Sequence, residues 1–292
     1  MGRRHAHAAF QDDPHSGSPR LNLFVLSPHR DDAAFSLSLS ITRWLAAGHR
    51  VTILNVFTRS LYAPYADIKE PSESARLDLV SSLRKREDQA FLETFGDGVA
   101  MLDLDLHDAP IRLHRAASVV CDLDVLSHDP AIPIICKALD DLAHAGRNAG
   151  KAALVLPLGL GHHVDHRTAR DAALPLTLSL PSAFYEDLPY ATRDGVRIDL
   201  TRFREDTQTR LHEPLFPVLC HGTPARPIAF KRRIALGYKS QIDSALADVI
   251  AAFSRRYQGA ERLWANQAWL DLAIREHLST PQGDPEAEPL PA

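Results

Sequence analysis

Two short stretches of this chain concentrate groups able to do chemistry. His29, Asp31 and Asp32 stand together in SPHRDD, and His163, Asp165 and His166 stand together far downstream in GLGHHVDH. An imidazole and a carboxylate hold a divalent ion such as zinc, and a second carboxylate beside them can take a proton from a water that the ion activates. A catalytic zinc site uses three protein ligands and keeps one position open; His29, Asp32 and His166 supply the three. Asp31 then remains as general base, His163 as general acid, and Asp165 to orient an imidazole through its ring N–H. Each stretch alone also has a plainer reading. The first is a solvated turn in which Asp32 caps the next helix, and the second is a polar helix start in which Asp165 meets the helix dipole. Only the pair points to a site.

Both clusters must be carried to one place. The run LNLFVL from Leu21, stopped by Ser27-Pro28, reads as a strand buried on both faces, and AALVLPL at 152–158 reads the same way. In a parallel sheet covered by helices, functional groups gather beyond the carboxyl ends of the strands, which is where both clusters fall. Residues 33–47 alternate Leu37, Leu39 and Ile41 with serines as a strand would. Their length and the following Gly48 favour a buried helix. Residues 50–57 form a second strand, 72–95 a helix, 99–106 a third strand, 132–145 a helix, 168–179 a helix and 183–188 a fifth strand. Around Asp194-Gly195, residues 190–228 read as a hairpin or irregular cap. A helical stripe runs from Lys231 to Phe253, and a last short helix covers 269–278. The expected fold is α/β: a Rossmann-like three-layer fold with a mostly parallel sheet and a C-terminal helical or hairpin extension. The expected organisation is a flexible segment over 1–20, a single domain over 21–278 and a flexible tail over 279–292.

The 292 residues are 45 % hydrophobic, ample for a core, and carry a formal charge of −4. No positive excess calls for nucleic acid or an anionic membrane. Cys121, Cys136 and Cys220 are odd in number and widely spaced, which fits neither a disulfide framework nor a cysteine zinc site. No apolar run reaches membrane-spanning or signal-peptide proportions. The expectation is a cytoplasmic protein without membrane insertion that acts on a small molecule, a homo-oligomer being compatible with the sequence.

SPHRDD and HVDH resemble the two signatures, HPDD and HxDH, of the PIG-L (LmbE-like) family of zinc-dependent N-acetylglucosamine deacetylases. The entry to the second strand at Gly48-His49-Arg50-Val51, and Arg84-x-x-Glu87 followed by Gly96, are also similar to that family. The resemblance runs from about Leu21 to Tyr190. It implies removal of an N-acetyl group from an N-acetylglucosamine-like sugar or glycoside with Zn2+, or another divalent ion such as Fe2+. It also implies His29, Asp32 and His166 as ligands, Asp31 as base, His163 as electrophile or acid with Asp165 as its partner, and Arg84 and Asp108 as substrate contacts. Arg30 stands where the signature usually has proline, Ala33 where a glutamate often follows, and Val164 where a proline is frequent. Arg30 is therefore expected as a substrate-binding cation near the mouth of the site. FYEDLPYA at 184–191 and KSQ at 239–241 resemble a bacterial subgroup of varied substrates.

Two rivals stand beside this reading. A non-catalytic sugar- or nucleotide-binding α/β protein is one, although no G-x-G-x-x-G follows the first strand. A metal-dependent esterase using the same ligands is the other.

Overall fold

The structure, a computed structural model, describes residues 21–148, 151–193, 196–211 and 213–282. β1 (Leu21–Ser27) is buried along nearly its whole length, as an uninterrupted apolar run requires. It is followed by α1 (Asp32–Ala46), β2 (Arg50–Asn55), α2 (Glu73–Glu93), β3 (Val99–Asp103), the single turn α3 (Ala109–Arg112) and α4 (Ala131–Asn148). The second half holds β4 (Lys151–Pro157), α5 (Val164–Thr177), β5 (Ser182–Tyr185), α6 (Val196–Leu211), β6 (Phe216–His221) and α7 (Pro227–Ala235). α8 (Ser244–Phe253), β7 (Ala260–Ala265), α9 (Gln267–Ala273) and β8 (Thr280–Pro281) complete it.

Among the described residues the strands form one sheet in the order β3-β2-β1-β4-β5-β7-β6-β8. β3, β2, β1, β4 and β5 run parallel, and β7, β6 and β8 extend the sheet antiparallel. The chain leaves β1 towards β2 and β3 on one side, and β4 opens the other side. β1 and β4 are neighbours, with Val25 opposite Val155. Strand order therefore reverses between them, and the crevice beyond their carboxyl ends is the place such sheets reserve for ligands.

The serine alternation that imitates a strand has its reason in the burial of α1. Ser36, Ser38 and Ser40 are all buried; Ser36 Oγ accepts the Leu188 N–H at 3.0 Å, and Ser40 Oγ donates to Glu261 at 2.7 Å. Trp44 and Trp269 meet edge to face in the core at 6.4 Å between ring centroids.

Several expectations are corrected. The Lys231–Phe253 stripe is two helices, α7 and α8, because Tyr238 and Ile242 are buried in the intervening turn and prolong the apolar period without helical backbone. Where a hairpin or irregular cap is expected, the chain forms α6 and then β6, while Asp194-Gly195 itself lies outside the described residues. β7 is an element the sequence reading did not assign. Thr280 and Pro281, expected in a tail, pair with β6; residues 283–292 of that expected tail and the expected N-terminal segment lie outside the described residues.

Candidate active site

The turn after β1 places His29, Asp31 and Asp32 at the mouth of the crevice, with Asp32 opening α1. The loop after β4 brings the second cluster to meet it. Gly159 and Gly161 both adopt left-handed backbone, with φ of 78° and 74°, and a side-chain carbon on Gly161 would stand only 2.6 Å from Tyr190. This tight loop delivers His163 as the N-cap of α5, so Asp165 and His166 lie in the helix's first turn. The plain reading of HVDH as a polar helix start is thus correct. It does not compete with the functional one.

The donor atoms of His29, Asp32 and His166 all lie within 4.8 Å of one another. Ligand atoms about 2.1 Å from a shared ion at the tetrahedral angle stand roughly 3.4 Å apart. His29 Nδ1 is 3.4 Å from Asp32 Oδ2, and His166 Nε2 is 3.3 Å from the same oxygen. His166 Nε2 is buried and finds no hydrogen-bond partner. A second group, His29, His163 and Asp165, is equally close. In that group the Asp165 carboxylate is already held by three donors, His29, Ala109 N and Arg112, and His163 Nδ1 accepts the Asp165 N–H. The first group fits a divalent ion.

Each of its imidazoles turns its other nitrogen to a buried carboxylate. His29 Nε2 lies 3.0 Å from Asp165 Oδ2, and His166 Nδ1 lies 2.7 Å from Asp187 Oδ1. Such partners fix the ring and its tautomer. Asp187 also accepts the Leu160 N–H, and Asp165 is held by Arg112, which in turn bonds Asp129. Burial opposes charge on His29, but Asp165 and Asp32 outweigh it and raise the ring to about 10. Burial likewise opposes the charge on Asp32, and His166 and His29 outweigh it, lowering the carboxyl to about 2.

Asp31 remains outside this group. Its Oδ1 accepts from Arg84 Nη2 at 3.1 Å, and both side chains line a cavity of about 470 Å³. His163, Asp165 and Asp108 line it as well. Asp108 is buried, its Oδ1 has no hydrogen-bond partner, and burial raises its pKa. Burial first, then the charges on His29 and His166, lower His163 to about 3, so the ring is neutral. Its Nδ1 accepts a hydrogen bond, which leaves the proton on Nε2.

Two expectations change here. Asp165 partners His29 and not His163, to which it offers only its backbone N–H. Arg30 is no cation at the mouth; it is buried and bonded to Asp88 and Asp103. On α2, Arg84, Glu87 and Asp88 are buried, while Lys85 and Arg86 are exposed. Asp187, read from the sequence only as a residue that could line the pocket, holds His166, and Arg112, given no role by the sequence, holds Asp165. Asp187 had a signal, an acidic residue at the end of the fifth strand. Its neighbour Glu186 points elsewhere, accepting from Tyr257, Arg262 and Trp264. Tyr62, exposed at the rim, also lines the cavity, together with Tyr190.

A His-Asp-His group that fits a divalent ion, set at the switch point of a parallel sheet with a further carboxylate beside it, is what the fold and the site present together. The family described as PIG-L, GlcNAc-PI de-N-acetylase, matches residues 24–177, and the chain belongs to it. It is similar to 2'-N-acetylparomamine deacetylase of Streptomyces fradiae, with 30 % identity over 273 residues that cover 90 % of this chain and 87 % of that protein. Among solved structures it shares its fold with the zinc-inhibited form of teicoplanin deacetylase, with a TM-score of 0.58 and 21 % identity over 84 % of this chain and 97 % of the other. A deacetylase–teicoplanin complex matches with a TM-score of 0.58 and 22 % identity, over 84 % and 98 %. Among the described residues, no helix is long and apolar enough to cross a membrane.

Proposed function

We propose that this chain is a zinc-dependent N-deacetylase that removes the acetyl group from an N-acetylated amino sugar held in a small glycoside. The observation that carries the reading is that Asp32 Oδ2 stands 3.4 Å from His29 Nδ1 and 3.3 Å from His166 Nε2, both tetrahedral edge lengths, with the Asp31 carboxylate beside them held by Arg84. The relative that acts on 2'-N-acetylparomamine supports the substrate class. A cavity of about 470 Å³ also lies within the range usual for small-molecule sites.

His29, Asp32 and His166 would hold the ion. When bound, a divalent ion such as zinc supplies a Lewis acid that makes water acidic enough to lose a proton near neutrality. Asp31 takes that proton as the water oxygen bonds to the acetamide carbon, and Arg84 holds the carboxylate in place. His163 donates its Nε2–H to the carbonyl oxygen as negative charge grows there. A neutral ring suits this donor role and not that of an imidazolium acid, so the proton on Asp31 passes to the nitrogen as the C–N bond breaks. Acetate and a free amine leave. Arg84 and Asp108 contact the sugar.

The test is metal content followed by a screen for acetate and amine release over N-acetylated glycosides. Chelation should abolish release and added zinc should restore it. Release that survives complete chelation, or zinc-loaded protein that hydrolyses acetate esters but no acetamide, would refute the proposal, the second outcome favouring the esterase reading.

A further inference from the structure

Arg30 lies between a proposed ligand and the proposed base, yet its side chain leaves the cavity altogether. Its guanidinium reaches Asp103 at the end of β3 through two bonds of 3.0 and 2.8 Å, and Asp88 on α2 at 2.6 Å. Asn55, at the end of β2, donates to both carboxylates, and Tyr238 donates to Asp88. Arg30 therefore ties the loop after β1 to the carboxyl end of β3 and to one turn of α2, and Asn55 joins the end of β2 to the same two carboxylates. The same helix answers in the opposite sense. Arg84, four residues and about one helical turn before Asp88, bonds Asp31, the residue next to Arg30. An Arg-Asp pair on the loop thus meets an Arg and an Asp on the helix, and each guanidinium takes the other's carboxylate.

We propose that Arg30 is a positioning residue: pinned by Asp88 and Asp103, it locks the HRDD loop to α2, setting His29 and Asp32 for the ion and bringing Arg84 to Asp31. Proline, usual at this place in the resembling signature, restrains its own backbone covalently. Arginine has no such restraint, and here the side chain's bonds provide one. Glu87 on the same turn receives both the backbone N–H and the hydroxyl of Ser240, so α2 is fixed on its other flank too. The inference rests on the deacetylase reading for the role of Arg84, and on the metal site alone for the role of the loop.

The experiment separates positioning from mere stability. Removing Arg30 alone strands the buried Asp88 carboxylate and leaves the half-buried Asp103 to Lys85 and Asn55, so the main variant combines Arg30→Met with Asp88→Asn and Asp103→Asn. Neutralising a whole buried ionic group often costs little stability. The metal-free triple variant should melt within a few degrees of the parent, yet bind zinc at least ~10-fold more weakly in competition with a chromogenic chelator. Arg30→Lys keeps the charge but cannot fork to both carboxylates, and it should show a smaller loss in the same direction with the fold intact. For turnover, Arg30→Met and Arg84→Met should give non-additive losses in kcat/KM, because the first acts through the second. Zinc affinity that matches the parent in both the triple variant and Arg30→Lys would overturn the proposal, as would strictly additive losses. If no glycoside is deacetylated by the parent, the functional reading fails, and the zinc measurement still decides the role of Arg30.

Discussion

Asp187→Asn offers the sharpest test of how the second cluster is held. Both oxygens of Asp187 are committed: Oδ1 to His166 Nδ1 at 2.7 Å and Oδ2 to the Leu160 N–H at 3.0 Å. Asparagine has one oxygen for these two places. If its amide nitrogen faces Leu160, two donors confront each other in a fully buried pocket, at a cost of about 1–3 kcal/mol. If it faces His166, Nδ1 must become the acceptor, and the ring proton moves to Nε2, the atom 3.3 Å from Asp32 Oδ2. The second arrangement blocks an ion on His166 directly, and the first removes the carboxylate charge that makes the ring a stronger ligand. The expected loss of zinc affinity is about 10–100-fold, or roughly 1.4–2.7 kcal/mol. Chelator competition on metal-free protein measures it, and Glu186→Gln is the control, since Glu186 is turned to Tyr257, Arg262 and Trp264. Equal affinities for Asp187→Asn and the parent, or an equal loss in the control, would refute the assignment of Asp187 as the partner of His166.

Asp31→Asn should keep its zinc and lose at least ~100-fold in turnover, whereas His166→Ala should lose the metal; equal metal content in both would end this division of roles. Burial pushes the Cys220 thiol up to about 12, so a thiol reagent on native protein should spare it and label it only on unfolding, in contrast to the half-buried Cys121 and Cys136. Burial also raises Asp88 to about 7, against the pull of Arg30. The folded state therefore keeps a proton that the unfolded chain gives up, a contribution fully present below the usual carboxylate range and lost as pH rises through about 7. Asp88→Asn cannot titrate. Between about pH 5 and pH 8 it should lose less stability than the parent, by on the order of 2 kcal/mol in denaturant unfolding.

Where the sequence was informative, physics left few alternatives. β1 and β4 are buried on both faces, so each had to be an unbroken apolar run, and a switch point needs its polar groups directly after such runs. Donor atoms appear as short polar bursts for that reason, and the pairing of two bursts was readable. What stayed hidden were the directions of side chains. Nothing in HRDD says that Arg30 turns down to Asp88 and Asp103 while its neighbours turn up. Asp165 sits two residues after His163, but two steps of helix swing it about 200° around the axis, away from that ring and towards His29. β7 escaped for a related reason. Glu261 and Arg262 give AERLWA the look of a surface, whereas Glu261 is buried against Lys231 and the amides of Leu39 and Ser40.

The capping bond at the start of α5 ties fold and chemistry together. A helix needs an acceptor at its N-cap, and His163 supplies one through Nδ1. That single bond, made for the helix, fixes the tautomer and leaves Nε2–H directed by a ring that lines the cavity. The positive end of the helix and the neighbouring imidazoles all disfavour a second proton on this ring, in keeping with its depression to about 3. A donor that never needs to be charged does not lose strength as pH rises through neutrality. Among the groups lining the cavity, the His163 Nε2–H is thus a donor set in place before any substrate arrives, the kind of preorganisation that the proposed acyl transfer would use.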